Sequence, residues 1–132
     1  MTWVVAYIGT AIAFFSLDFI WLGFVAKTFY FSRLAHLLAD KVNYAAATGF
    51  YLIYFAGIVF FAIAPALKTG NWQTAALHGA LFGFFCYATY DMTNQSTLRD
   101  WSVAVTVVDI IWGTILTGIA ATIGYLAARS LP

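Results

Sequence analysis

The chain has 132 residues, 64% of them hydrophobic and 8% charged, and a net charge of +1 with histidine neutral. A soluble domain carries roughly 25% charged residues, so a fully water-covered surface is excluded, and so is the basic footprint of a nucleic-acid binder. The single cysteine, Cys86, excludes an internal disulfide and any CxxC redox or metal motif.

A membrane-spanning helix needs roughly 20 mainly apolar residues, because the hydrocarbon core is about 30 Å thick and each residue rises about 1.5 Å. Four segments meet this, over about 3–26, 43–67, 72–90 and 102–128. The first has no Lys or Arg before its apolar run, unlike a cleavable signal peptide. It is interrupted only by Asp18, and the fourth only by Asp109. Between the first and second, Phe31, Leu34, Leu38 and Val42 recur at helical spacing with Arg33, His36, Asp40 and Lys41 among them, and Ser32 can cap the start. A short amphipathic helix over about 32–42, lying at the membrane surface, is expected there. Pro65 to Asn71 reads as a turn, and the polar stretch 91–101 reads as a connection. The expected fold is an all-α membrane protein, a four-helix transmembrane up-down bundle forming a single domain.

Four spans place both termini on one side, with Lys68 and Arg129. The opposite side holds Lys27, Arg33, Lys41 and Arg99, and the positive-inside rule makes that side cytoplasmic. Both termini are then expected outside. Small residues recur every four positions at Ala75, Gly79 and Gly83, and again at Gly113, Thr117 and Ala121. Such stripes let helix backbones approach, within the chain or in a homodimer.

Asp18 and Asp109 are the informative residues. An aspartate at a helix centre costs about 2.5–3.5 kcal/mol even on lenient scales, so it is expected to pair, line a cavity or act. Both lie roughly 10–12 Å below the same surface at about 1.5 Å per residue. Their settings match, Asp18-x-x-Trp21 and Asp109-x-x-Trp112, an i, i+3 spacing that puts an indole on each acid's face. On the third helix, Tyr87 with Asp91 and Tyr90 with Asn94 are i, i+4 pairs. A polar chamber near the cytoplasmic face follows, walled by Trp21, Trp112, Tyr87 and Tyr90, with Asp18, Asp91, Asp109 and Asn94 as its polar groups. Buried carboxylates close together cannot all ionise cheaply, so at least one is expected to keep its proton. The bland alternative is a polar clamp, in which the acids accept from indole N–H groups, cap the 93–97 turn, or pair with Arg99.

No cofactor is expected. His36 and His78 fall at opposite membrane faces, which disfavours a bis-histidine haem, and His78 is best read as a packing residue. No lysine lies within a span to carry a retinal Schiff base, and Cys86 reads as an apolar filler. Hard oxygen ligands suit Mg²⁺ with a diphosphate, which leaves that ion open. Three functions fit: a protein that binds or modifies an amphipathic lipid, quinone or isoprenoid; a proton-coupled carrier of a small solute; an accessory subunit bound to a membrane-protein partner. Membrane lipids are expected contacts in each.

Asp18-x-x-Trp21-Leu22-Gly23, Tyr90-Asp91-Met92-Thr93-Asn94, Thr97-Leu98, Trp101 and Asp109-x-x-Trp112-Gly113 together resemble the small bacterial membrane proteins of domain-of-unknown-function family 2177. The likeness spans essentially the whole chain, and Tyr-Asp-Met-Thr-Asn is its most specific part. It implies a four-helix protein of the bacterial inner membrane and no particular activity.

Overall fold

The computed structural model describes all 132 residues and is all-helical. Helix α1 (Thr2–Trp21) continues through a π-helical turn, Leu22–Ala26. The short α2 covers Tyr30–Leu34. Helix α3 (Tyr44–Ile58) passes through a second π-helical turn, Val59–Ile63, into α4 (Ala64–Thr69). Helices α5 (Trp72–Thr97) and α6 (Val103–Arg129) follow. Three continuous rods are long and apolar enough to cross a membrane: Thr2–Ala26, Tyr44–Thr69 and Val103–Arg129. The α5 rod is as long, but Gln73, His78 and its polar end make it less apolar.

Local chemistry sets the ends. Asn43, Asn71 and Ser102 each accept a backbone N–H of the first turn they precede, from Ala46, Gln73 and Val105. Gly70 closes α4 in the left-handed conformation at φ 68°, which a glycine adopts without Cβ strain. Arg129 holds this turn by donating to the Gly70 carbonyl at 2.7 Å. Pro65 has no N–H to give the carbonyl of Phe61, and the π-helical turn lies just before it. His78 Nδ1 lies 3.3 Å from that same Phe61 oxygen. His78 thus serves the carbonyl that proline strands.

Three stretches differ from the sequence expectation. The turn expected over Pro65 to Asn71 is helix as far as Thr69, because Pro65 sits in the first turn of α4 where its missing N–H is tolerated, and only Gly70 and Asn71 turn the chain. The surface helix expected over 32–42 is only the five residues Tyr30–Leu34, and 35–43 is turn and coil. Its apolar residues Leu37, Leu38 and Val42 stay exposed, so no packing offsets the cost of nucleating a longer helix. Ser32 does not cap it, because its hydroxyl donates back to the Thr28 and Phe29 carbonyls. Conversely, 91–97 is helix rather than connection. Thr89, Thr93 and Thr97 each donate to the carbonyl four residues back, which satisfies their hydroxyls without leaving the helix.

Helix α6 lies between α1 and α5 and contacts both along their lengths. The two small-residue stripes face each other within the chain. A Cβ on Gly79 would come 2.6 Å from the Ala121 Cβ, and one on Gly83 would meet the Gly113 carbonyl and Thr117. On the outer face of α6, Ile111, Ile115, Ile119 and Ile123 form an exposed apolar ridge, the surface a lipid-facing helix presents. The second rod crosses the other three mainly through Val59–Ile63. Tyr54 of α3 is tied to α6 by a 2.7 Å bond between its hydroxyl and that of Thr117. Nearer its start, Tyr44, Phe50 and Ile53 are exposed, so that half of α3 stands away from α5.

Candidate functional site

The three acids lie on three helices and reach one level. Asp18 of α1 is 9% exposed, Asp91 of α5 is wholly buried, and Asp109 of α6 is half-buried. Together with Trp21, Trp112, Tyr87 and Tyr90 they line one chamber of about 230 Å³. No basic side chain lines it. Seven of the eight residues singled out from sequence therefore meet. Asn94 does not line the chamber: it lies one turn further along α5.

The acids and indoles pair crosswise. Trp112 does not serve Asp109, its neighbour on α6; its indole N–H donates to Asp18 across the helix interface at 3.3 Å. Tyr51 of α3 donates its hydroxyl to the same carboxylate at 3.3 Å. Trp21 of α1 donates to the Tyr30 hydroxyl, which donates in turn to Asp109, both at 3.2 Å. The two indoles stack at 4.2 Å between ring centres, 6° from parallel. Trp112 therefore serves the other helix's acid directly, and Trp21 reaches the other helix's acid only through the Tyr30 hydroxyl. The i, i+3 spacing fixes the depth of the indoles but not their partners, because stacking swings both rings into the interface.

Asp91 differs from the other two. Neither of its carboxylate oxygens has a hydrogen-bond partner. Its acidic neighbour is Asp109, and two carboxyl groups can share a hydrogen bond only when one of them carries a proton. Arg99, a possible partner by sequence, is exposed and does not line the chamber. A buried donor or acceptor left unpaired costs about 1–3 kcal/mol, more when charged.

Tyr30 and Tyr51 were not singled out from sequence, and Trp101 entered only among the residues of the family resemblance. Tyr30 sits in the connection after α1, where no periodic pattern flags it. Its burial, and then the Asp109 carboxylate, push its phenol pKa up, so it stays a proton donor to that acid. Tyr51 sits on a helix without charges, where no neighbouring acid draws attention to it. Trp101 is positioned by a closed triangle of bonds. Its indole donates to the Thr106 hydroxyl at 2.9 Å, that hydroxyl donates to Gln95 Oε1 at 2.9 Å, and Gln95 Nε2 donates to the Trp101 carbonyl at 3.1 Å. This triangle folds the 98–102 loop onto the end of α5.

A second cavity of about 310 Å³ adjoins the first, sharing Tyr87, Tyr90 and Asp109, with Phe50 and Cys86 as its further lining. It occupies the wedge where the first half of α3 stands off α5. No three His, Cys or acidic side chains converge as ligands to one metal ion.

The crosswise pairing makes a measurable claim. In a double-mutant cycle of Trp21→Leu and Trp112→Leu, read by thermal unfolding in detergent, the indoles should couple by about 0.5–1.5 kcal/mol. Additive effects would mean the rings do not stack.

No curated protein and no solved structure matches the chain. The family model described as "Predicted membrane protein (DUF2177)" matches residues 3–126, with the chamber residues all inside that span, and the chain belongs to that family of membrane proteins.

Proposed function

We propose that the protein binds the polar head of a membrane-dissolved amphiphile, a lipid, quinone or isoprenoid, in the chamber around Asp91. The observation that carries this reading is the buried carboxylate of Asp91, which no protein N–H or O–H donor serves, in a cavity that two further acids and six indole and phenol rings line. A folded chain keeps such a group at a cost, and a ligand that donates hydrogen bonds to it removes the cost. Size decides what enters. Drug-sized ligands occupy roughly 300–1,000 Å³, so a chamber of about 230 Å³ fits a head group and not a whole amphiphile. The adjoining apolar cleft behind Phe50 gives the tail a way out sideways between α3 and α5.

In this reading α5 is the fourth span. Its 26 residues extend about 39 Å at about 1.5 Å each, and its polar residues gather towards its ends. The chamber then opens at the cytoplasmic face of the bacterial inner membrane, the side of Lys27, Arg33, Lys41 and Arg99, with both termini outside. Tyr30–Leu34 lies across the mouth at the membrane surface.

Solvent extracts of protein purified in mild detergent test the reading by mass spectrometry. A discrete amphiphile is expected with the wild type and is expected to be missing from Asp91→Asn, which leaves the helix contacts in place. Identical bulk-lipid profiles from both proteins would refute it.

A further inference from the structure

We infer that the head group held at Asp91 is an ammonium, so that the ligand is a cationic amine amphiphile; this rests on the chamber being a head-group site. Three features of the site select the charge. First, Asp18, Asp91 and Asp109 face the chamber and no Lys, Arg or His lines it. An anionic phosphate or carboxylate head would meet like charge with nothing to neutralise it, and such repulsion is stronger at close range in a medium drier than water. Second, Asp18 and Asp109 already accept protein hydrogen bonds, from Trp112 and Tyr51 and from Tyr30. Asp91 alone offers two buried oxygens with no protein N–H or O–H donor, its acidic neighbour Asp109 being able to pair with it only through a shared proton, which an ammonium would replace. A carboxylate is acceptor-only, so the missing partner must be a donor, and an ammonium brings up to three N–H groups with its charge. Third, half of the lining is aromatic, with the rings of Trp21, Trp112, Tyr87 and Tyr90 on the same helices as the acids, and the rest of the wall beyond the acids is aliphatic. Aromatic rings around a carboxylate are a setting that favours a cation over a neutral hydroxyl of similar size, through the attraction of the ring quadrupole. A quinone carbonyl, which only accepts, leaves Asp91 unserved.

The ammonium is thus expected to donate to Asp91, with Asp18 and Asp109 supplying negative potential from fixed positions and the tail leaving past Phe50.

Three six-carbon probes separate the possibilities: hexylammonium, hexanol and hexyl phosphate, each titrated into the purified protein in an uncharged detergent and followed by tryptophan fluorescence and thermal shift. Hexylammonium should bind at least ten-fold more tightly than hexanol, with hexyl phosphate weaker still. That preference should vanish in Asp91→Asn and persist in Asp40→Asn, which removes an exposed acid outside the chamber. Should hexanol or hexyl phosphate bind as tightly as hexylammonium, with binding still lost in Asp91→Asn, the chamber takes head groups but does not select a cation, and this inference alone falls. Should no probe saturate, or should Asp91→Asn bind hexylammonium like the wild type, the head-group reading falls with it.

Discussion

Asp91→Leu is expected to raise the unfolding free energy of the bundle by about 1–3 kcal/mol while abolishing amphiphile binding. The magnitude is the desolvation penalty of a buried polar group that has no partner. Asp91 is wholly buried and both its oxygens are unpaired. A leucine adds volume, but the side chain borders a cavity of about 230 Å³, so the extra methyl groups have space and gain apolar contacts. Asp18→Leu provides the contrast. It strands the Trp112 indole N–H and the Tyr51 hydroxyl and should lower stability by a similar amount. Reversible unfolding by titrated denaturing detergent measures both. A gain at Asp91 together with a loss at Asp18 separates a group held for a ligand from a group held for the fold. A loss of stability in Asp91→Leu would mean that this acid has a structural partner, and the polar-clamp alternative would then describe all three acids.

Gly83→Ala is the second large effect, expected to cost about 2–3 kcal/mol. A methyl there would overlap the backbone carbonyl of Gly113 and come 2.7 Å from both Cβ and Oγ1 of Thr117. Neither can move freely. Gly113 lies against the Tyr87 ring, so that a Cβ on Gly113 would overlap the ring itself, and Thr117 is bonded to Tyr54 at 2.7 Å. Helices α5 and α6 must therefore separate. That displaces Tyr87 and Asp91 from Asp109, so head-group binding should weaken along with stability. Gly49→Ala is the control: its Cβ would meet nothing within 4 Å, and alanine is a better helix residue than glycine by roughly 0.5–1 kcal/mol. Equal thermal stability of the two variants would mean that α5 and α6 do not approach this closely.

The two predictions draw on opposite features of one interface. Glycine and alanine bring α5 and α6 together along most of their length, and that approach carries Asp91 and Asp109 to the same level. At the end of the bundle where the acids lie, aromatic rings replace small residues, and the rods are held apart by Trp21, Trp112, Tyr87 and Tyr90. The chamber is the volume left where the packing changes from small side chains to large ones.

Composition and hydropathy by themselves determined that the chain is helical and belongs in a membrane, because an apolar segment in lipid must satisfy its own backbone and a helix does so within one segment. The positions of Asp18 and Asp109 in those segments were likewise enough to place two acids at one depth, since rise per residue fixes depth, whereas Asp91 reads from sequence as the start of a connection on the same side and joins them only because α5 runs on to Thr97. The i, i+4 spacing of Gly79 with Gly83, and of Gly113 with Thr117, marked the faces that could approach. Only the tertiary structure decided the rest. Which indole serves which acid depends on side-chain torsions across two helices, and the 4.2 Å stack of Trp21 on Trp112 reverses the pairing that spacing along one helix suggests. Tyr30 and Tyr51 enter the site from a connection and from an uncharged helix, and their approach is set by where α2 and α3 pack, not by any pattern in their own segments. The length of α2 was equally illegible, because Leu37, Leu38 and Val42 have helical spacing yet find nothing to pack against. Most consequential is the solitude of Asp91, whose spacing resembles that of its neighbours. Hydrogen-bond partners come from other helices, and only their arrangement in space left this one carboxylate without any.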